Sequence, residues 1–363
     1  MSEIDQKLNF IRAWLANRNL DGLYLQRISS FAWATCGAAS YVNAASTDGV
    51  ASLLVTQERQ SLFTNNIEAP RLEKEEQLLD QRWDFCVTPW HGMNESVADL
   101  TSGLRLASDG TFPGAQDVSV EMARLRACLS PEEDARFRDL GGLCAQTMDS
   151  TIHSVRPGQT EFEIAALLGA EAQRRAVQPI VNLVATDNRV FDFRHPLPTA
   201  NKLKHYAMLV LCGRRQGLVC SITRLVHFGH LPDEVHRKAV AAARIDAVMI
   251  AATRPGRTLG QIFKTAQEAY AEAGFADEWQ FHHQGGPAGY EPREYLATPG
   301  SQDRVAAGQV YAWNPSITGS KSEDSVLIDE KGFEILSAIP GWPTVKVEVA
   351  GQIIERPDIL VVK

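Results

Sequence analysis

A five-residue phrase occurs twice in this 363-residue chain: Arg156-Pro-Gly-Gln-Thr160 and, 98 residues later, Arg254-Pro-Gly-Arg-Thr258. The amphipathic stretch EFEIAALLGAEAQRRA follows the first copy, and LGQIFKTAQEAYAEAG follows the second. Pro-Gly stops a helix, and a threonine hydroxyl accepts from the free amides of the next one, so each copy reads as helix, turn, capped helix. Strand-like segments come after both: PIVNLVAT, YAMLVLCG and GLVCSITR in the first, EWQFHHQ, QVYAWNPS and DSVLIDE in the second. A duplication of this kind leaves few architectures open. Two helix-helix-strand units about a pseudo-two-fold axis predict one curved sheet, helices outside it, and a pocket on its concave face.

The start of the duplicated region is marked as well. Ser130-Pro131-Glu132-Glu133 supplies a cap hydroxyl, a proline at the first helical position and a glutamate that reaches back to the cap amide. A long helix is predicted over 131 to about 155, with Phe137, Leu140, Cys144 and Met148 on its apolar face. Ahead of it, residues 1–129 read as a smaller domain. Its first helix carries Leu8, Ile11 and Leu15 on one side; DGLYLQ is a strand, two strands flank QERQ, RLEKEEQLL is a charged helix, WDFCVTPW a strand, and 118–127 a helix. The class is α/β (α+β), with an N-terminal domain over 1–129 and a larger C-terminal domain over 130–363. At 44% hydrophobic residues the chain can fill two such cores.

Charge and patterning exclude several partners. A net charge of −8 offers no basic surface for nucleic acid. No run of 18 apolar residues is present, so no membrane span is expected, and the first helix is amphipathic rather than a leader. The six cysteines form no CxxC pair, as in proteins of a reducing cytoplasm. The expected partner is a small molecule or short peptide.

Titratable groups crowd into residues 281–295, FHHQGGPAGYEPREY, where a turn brings two imidazoles within a loop's reach of Glu291, Arg293 and Glu294. Such crowding marks either a site or a surface turn.

Taken together, the SPEE helix start, the two RPGxT turns, FRHP at 193–196, SITR at 221–224, His283 with Glu291 eight residues on, and EDSVLI at 323–328 followed by KGFEILS carry a resemblance. Residues 130–363 resemble the pita-bread fold of the superfamily that includes methionine aminopeptidase, aminopeptidase P, prolidase and creatinase. Residues 1–129 resemble the N-terminal domain of its aminopeptidase P, prolidase and creatinase branch. The resemblance implies a homodimer in which the N-terminal domain of one subunit covers the pocket of the other. Phe31, Trp33 and Tyr41 in FAWATCGAASYVN then either close over a ligand or fill a core, and the core reading is favoured.

Metallopeptidases of this superfamily hold two divalent ions with two Asp, one His and two Glu. Here Val210 or Leu211 stands at the first Asp, Ser221 at the second, and Asn314 at the first Glu; His283 and Glu323 match. Losing three anionic oxygens removes most of the charge that would offset two dications, so no metal and no cofactor are expected. Creatinase, which works without metal, is the nearer likeness. His195 of FRHP stands where creatinase keeps its proton-transferring histidine, which makes it the candidate general acid and base, against a packing role beside Pro196. His283, Glu323 and Glu291 complete the catalytic candidates. His283 meets a substrate oxygen or makes a structural hydrogen bond. Glu323, left without metal, must find another cation or take a raised pKa, and suits a substrate ammonium, amidinium or guanidinium. Glu291 holds the same cation or water, or pairs with Arg293 or Arg224.

Tyr290, Arg224, Arg194 and Asn314 are the substrate-binding candidates: Tyr290 as donor to a carbonyl or as filler, and the arginines for a carboxylate. For Arg224 a buried ion pair is the alternative. Thr223 replaces a creatinase glutamate, so creatine is not favoured. These expectations describe a metal-independent, creatinase-like hydrolase of an amide or amidine C–N bond in a small amino-acid derivative. A proline-specific metallopeptidase and a catalytically inactive binding domain are the alternatives.

Overall fold

The computed structural model describes every residue except Met93 and Asn94. Its contacts separate into two units, Met1–Arg126 with Gln216–Leu218, and Ala127–Arg215 with Val219–Lys363.

In the first unit α1 (Glu3–Asn17) starts at Ser2, whose hydroxyl accepts from the Asp5 amide, and buries Leu8, Ile11 and Leu15 as their spacing requires. One sheet follows from β1 (Gly22–Arg27), β2 (Asp48–Thr56), β3 (Gln60–Asn65), β4 (Asp84–Thr88), β5 (Leu106–Ser108) and β6 (Gln116–Asp117), in the order β4-β3-β2-β1-β5-β6. The helices are α2 (Ile28–Ala34), α3 (Ala69–Lys74), α4 (Glu95–Thr101) and α5 (Ser119–Arg126). The charged helix expected in RLEKEEQLL ends early. Gln77 takes a positive φ of 56°, which turns the chain and drops Leu78 into the core. Phe31 and Trp33 lie in α2, buried, with Trp33 edge-on to Phe10 and beneath the Lys7 ammonium. They serve the core of their own unit and are not free to close over a ligand.

The second unit begins with α6 (Pro131–Ile152), where the Glu133 amide donates to Ser130 Oγ and the Ser130 amide donates back to the Glu133 carboxylate. α7 (Glu161–Arg174), α8 (Asn188–Asp192), α9 (Asp233–Ala252) and α10 (Leu259–Glu272) follow. α7 and α10 start with matching boxes, Thr160 with Glu163 and Thr258 with Gln261. The duplication reaches the backbone. Gly158 and Gly256 sit at φ of 94° and 87°, where a side chain would be strained, and their amides donate to the carbonyls of Leu203 and Val305. Thr160 bridges Lys202 just as Thr258 bridges Arg304.

The first half supplies β7 (Gln178–Thr186), β8 (Tyr206–Arg215) and β9 (Leu218–Phe228). The second supplies β10 (Gly285–Ala288), β11 (Gln309–Trp313), the hairpin β12 (Ser316–Ile317) and β13 (Ser320–Lys321), then β14 (Asp324–Ile328) and β15 (Phe333–Ile335). A hairpin of β16 (Thr344–Val349) and β17 (Gln352–Pro357) precedes β18 (Leu360–Val362). The single curved sheet of the sequence reading is built as two, β18-β9-β8-β7 and β10-β11-β14-β15. They meet where the Thr223 amide donates to the Glu323 carbonyl at 3.2 Å, an isolated bridge that brings β9 beside β14. The expected strand EWQFHHQ is instead a 3-10 turn over Glu278–Phe281. The Glu278 carboxylate pins it there by accepting from the Thr318 amide and pairing with Arg194. Among the described residues no helix is long and apolar enough to cross a membrane.

Candidate active site

The two sheets of the second unit share a cavity of about 330 Å³. One wall is hydrocarbon, from Val181 and Leu183 of β7 and Val210 of β8, with the Cys212 thiol beside them. Successive strand residues face opposite sides, so Val210 and Cys212 look into the cavity. Leu211 shares the other face with Gly213, which abuts Cys144 of α6. Of the two positions weighed for the first aspartate, the one on the cavity wall is therefore Val210.

The opposite wall carries the charge. Glu323 is buried, and both its oxygens are occupied: Arg293 donates to Oε1 at 2.8 Å, Lys321 to Oε2 at 2.7 Å, and the Thr223 hydroxyl to Oε2 as well. Burial by itself would raise the carboxyl's pKa, but Lys321 and then Arg293 overcome that and hold it below the usual carboxylate range. Of the two outcomes open to a metal-free Glu323, the chain takes the internal cation. That corrects its expected role, because a carboxylate with both oxygens paired is not available to grip a substrate ammonium or guanidinium. Arg293 also donates to Ser221 Oγ at 3.0 Å, which lies 3.3 Å from Cys212 Sγ. Burial, with Glu323 nearby, pushes the Cys212 thiol up to about 11, so it stays protonated at neutral pH.

Two imidazoles, His195 and His283, line the same cavity, and His282 lies against both. His195 Nε2 and His282 Nε2 are 3.1 Å apart, His282 Nδ1 is 3.1 Å from Ser316 Oγ, and the Asn314 amide reaches His282 Nε2 at 3.5 Å. When His195 Nε2 donates to His282 Nε2, His195 Nδ1 is left with a basic lone pair. The His283 ring lies 4.6 Å from His282 and 5.6 Å from His195, centroid to centroid. Burial lowers all three pKa values, His282 to about 2 and His283 to about 4, with His195 moved in the same direction. Next in weight come the cations, Lys321 for His282 and His195, Arg293 for His283. All three rings are neutral at pH 7.

The sequence of this duplicated unit matches a known family model. The model of metallopeptidase family M24 covers residues 135–342. The chain belongs to family M24. Among curated proteins it is 26% identical over 235 residues to an uncharacterized peptidase of Staphylococcus epidermidis, a match covering 61% of this chain and 66% of that protein. The match thus spans 66% of that relative's length. Among solved structures, an Xaa-Pro dipeptidase from Bacillus anthracis superposes with TM-score 0.81 at 14% identity, covering 99% of this chain and all of that one. A recombinant prolidase from Thermococcus sibiricus superposes with TM-score 0.82 at 15% identity over the whole of both chains. At such identities the likeness is one of fold.

The residues present do not fit the two-ion centre implied by the family name. The positions that the sequence reading set against its ligands hold Val210, Ser221, His283, Asn314 and Glu323, a set with one anion, and that anion is already bound by Lys321 and Arg293. Two dications there would face two fixed cations with nothing to offset them. Separately, ring nitrogens of His195, His282 and His283 lie within 4.8 Å of one another, which matches the ligand number of a three-imidazole zinc site.

Four other candidates lie outside the cavity lining. Arg224 donates to Asp324 Oδ1 at 2.9 Å and to the Ser337 carbonyl, in a buried network where Arg356 joins Asp324 to Asp246. This is the ion-pair alternative, and the same guanidinium is not available to a substrate in the cavity. Arg194 pairs with Glu278. The Tyr290 hydroxyl donates to Glu133 at 2.6 Å, and Glu291, like these three, is absent from the cavity lining. Asn314 is on the lining, as are His195, His283 and Glu323. The sequence reading passed over Lys321 and His282 as individual site residues. The signal for Lys321 was its place two residues before Glu323, close enough in the chain for an ammonium to reach that carboxylate.

Proposed function

We propose that the protein is a metal-independent hydrolase that cleaves a C–N bond, amide or amidine, in a small amino-acid derivative. The observation that carries this reading is the pairing of both Glu323 oxygens with Lys321 and Arg293 at the cavity that His195 borders. Positive charge there is supplied by side chains, and a neutral imidazole is at hand for proton transfer. In the reaction His195 Nδ1 takes a proton from water as the water oxygen bonds to the substrate carbon. The Asn314 amide lies on the lining where the oxygen or nitrogen of that carbon gains charge, and a donor so placed lowers the barrier. The imidazolium then returns the proton to the leaving nitrogen as the C–N bond breaks. Positive neighbours suit the cycle, because a depressed imidazole pKa keeps the base form ready and makes the acid form a strong donor.

The test is turnover of a panel of small amides and amidines by His195→Ala and His195→Gln, after dialysis against a chelator. Loss of about a hundredfold or more in kcat, with the melting temperature unchanged, is expected. Full activity in either variant overturns the assignment.

The histidine cluster favours a second reading, a metal-dependent peptidase of the Xaa-Pro type. Elemental analysis decides between them: about one equivalent of zinc, manganese or cobalt held through dialysis, with chelator-sensitive cleavage of Xaa-Pro peptides, would replace the first reading with this one.

A further inference from the structure

The charge on the cavity lining selects the substrate. Glu323 contributes −1, Lys321 and Arg293 contribute +2, and the remaining titratable groups, His195, His283 and Cys212, are neutral at pH 7. The lining therefore carries one net positive charge in a place shielded from water, where a charge left uncompensated is costly. Three of its polar residues are also underused: Arg293 Nε, Asn314 Oδ1 and His283 Nδ1 are buried and have no hydrogen-bond partner within the protein. A well-packed core seldom leaves three such atoms around one cavity. The other wall offers hydrocarbon to a ligand of matching character.

Building on the hydrolase reading, we propose that the cavity takes small monoanionic amides whose amino group is blocked, the N-acyl amino acids, with the carboxylate turned toward Lys321 and Arg293. A carboxylate neutralises the lining. An amide N–H in place of an ammonium adds no second positive charge beside those two cations. An aliphatic side chain covers the wall of Val181, Leu183 and Val210. Cationic substrates of the guanidinium kind meet the same two charges and are refused. In turnover, water adds across the acyl C–N bond: the acyl carbon keeps the water oxygen as a free acid, and the amino acid leaves with the proton returned by His195.

Binding of N-acetyl-L-leucine, N-acetyl-L-leucine amide and L-leucine amide to the full chain at pH 7, measured by calorimetry, compares anion and neutral molecule at nearly constant shape and adds a smaller cation. The anion is expected to bind at least tenfold more tightly than the neutral amide, with the cation weakest. Asn314→Asp adds one negative charge at nearly constant volume and is expected to remove that tenfold preference. Equal affinity for anion and neutral amide, tighter binding of the cation, no binding of any of the three at 10 mM, or an unchanged preference in Asn314→Asp overturns the proposal. Acetate release from N-acetyl-L-leucine is followed in the same samples. Binding of the anion without acetate release, there or from any other N-acyl amino acid, would leave the charge selection standing and count against the hydrolase. Hydrolysis of neutral or cationic amides without preference would leave the hydrolase standing and end the selection.

Discussion

The Thr160 and Thr258 turns are built alike, down to the glycine amides that reach Leu203 and Val305, yet the walls that the two halves turn toward the cavity differ. From the first half come Val181, Leu183, Val210 and Cys212, with His195 the one group there able to move a proton at neutral pH; from the second come His283, Arg293, Asn314, Lys321 and Glu323. A repeated backbone thus holds a divided chemistry. What is duplicated is local, a cap and a turn within a few residues. What diverged is the set of side chains that meet only after the halves pack, and no turn geometry constrains those.

The contrast can be broken at either wall. Glu323→Leu removes the anion and leaves Lys321 and Arg293 buried without their partner, so a loss of about 3–5 kcal/mol in urea unfolding is expected. A cost under 1 kcal/mol would mean that the two cations reach water and that the charged wall is not dry. On the hydrocarbon side Leu183→Ala should cost about 2 kcal/mol, at the low end of the usual range because the residue already borders a cavity. A charged-wall effect smaller than this one would reverse the ranking of the walls.

Acid should weaken chiefly the second half. The His283 pKa is about 4 in the folded chain against 6.5 unfolded, so between these values the unfolded chain binds more protons. The stability this group contributes is complete above pH 6.5 and is lost as pH falls from there through 4. Urea midpoints at pH 7 and pH 4.5 should differ less in His283→Gln than in the parent; identical slopes would place the acid sensitivity elsewhere. The smallest effects belong to the repeated turns. Thr160→Ala and Thr258→Ala should each cost about 1 kcal/mol, and nearly the same amount, since both caps accept from the amide three residues on. Costs differing by more than about 1 kcal/mol would show that the two turns are equivalent in shape only.

Much of the fold was legible beforehand because its signals act over short range. Ser130 and Glu133, Thr160 and Glu163, and Thr258 and Gln261 are each three residues apart, and the helices they start are where the reading put them. RLEKEEQLL and EWQFHHQ misled because tertiary contacts overrode local preference: Leu78 is drawn into the core at one, and Glu278 is held by Arg194 and Thr318 at the other. Of the site, His195, His283, Asn314 and Glu323 were named and share the cavity lining. Tyr290, Arg194 and Arg224 were named too, but packing gives their polar groups to Glu133, Glu278 and Asp324.

By itself, then, the sequence determined the duplication and the capped helices, since each is written in neighbouring residues. Only the tertiary structure decided what Glu323 does. Its partners Arg293 and Thr223 stand 30 and 100 residues away, and His195 meets His282 across 87. Whether a buried carboxylate awaits a ligand or is already neutralised depends on which cations packing brings within 3 Å of it, and no local pattern carries that distance.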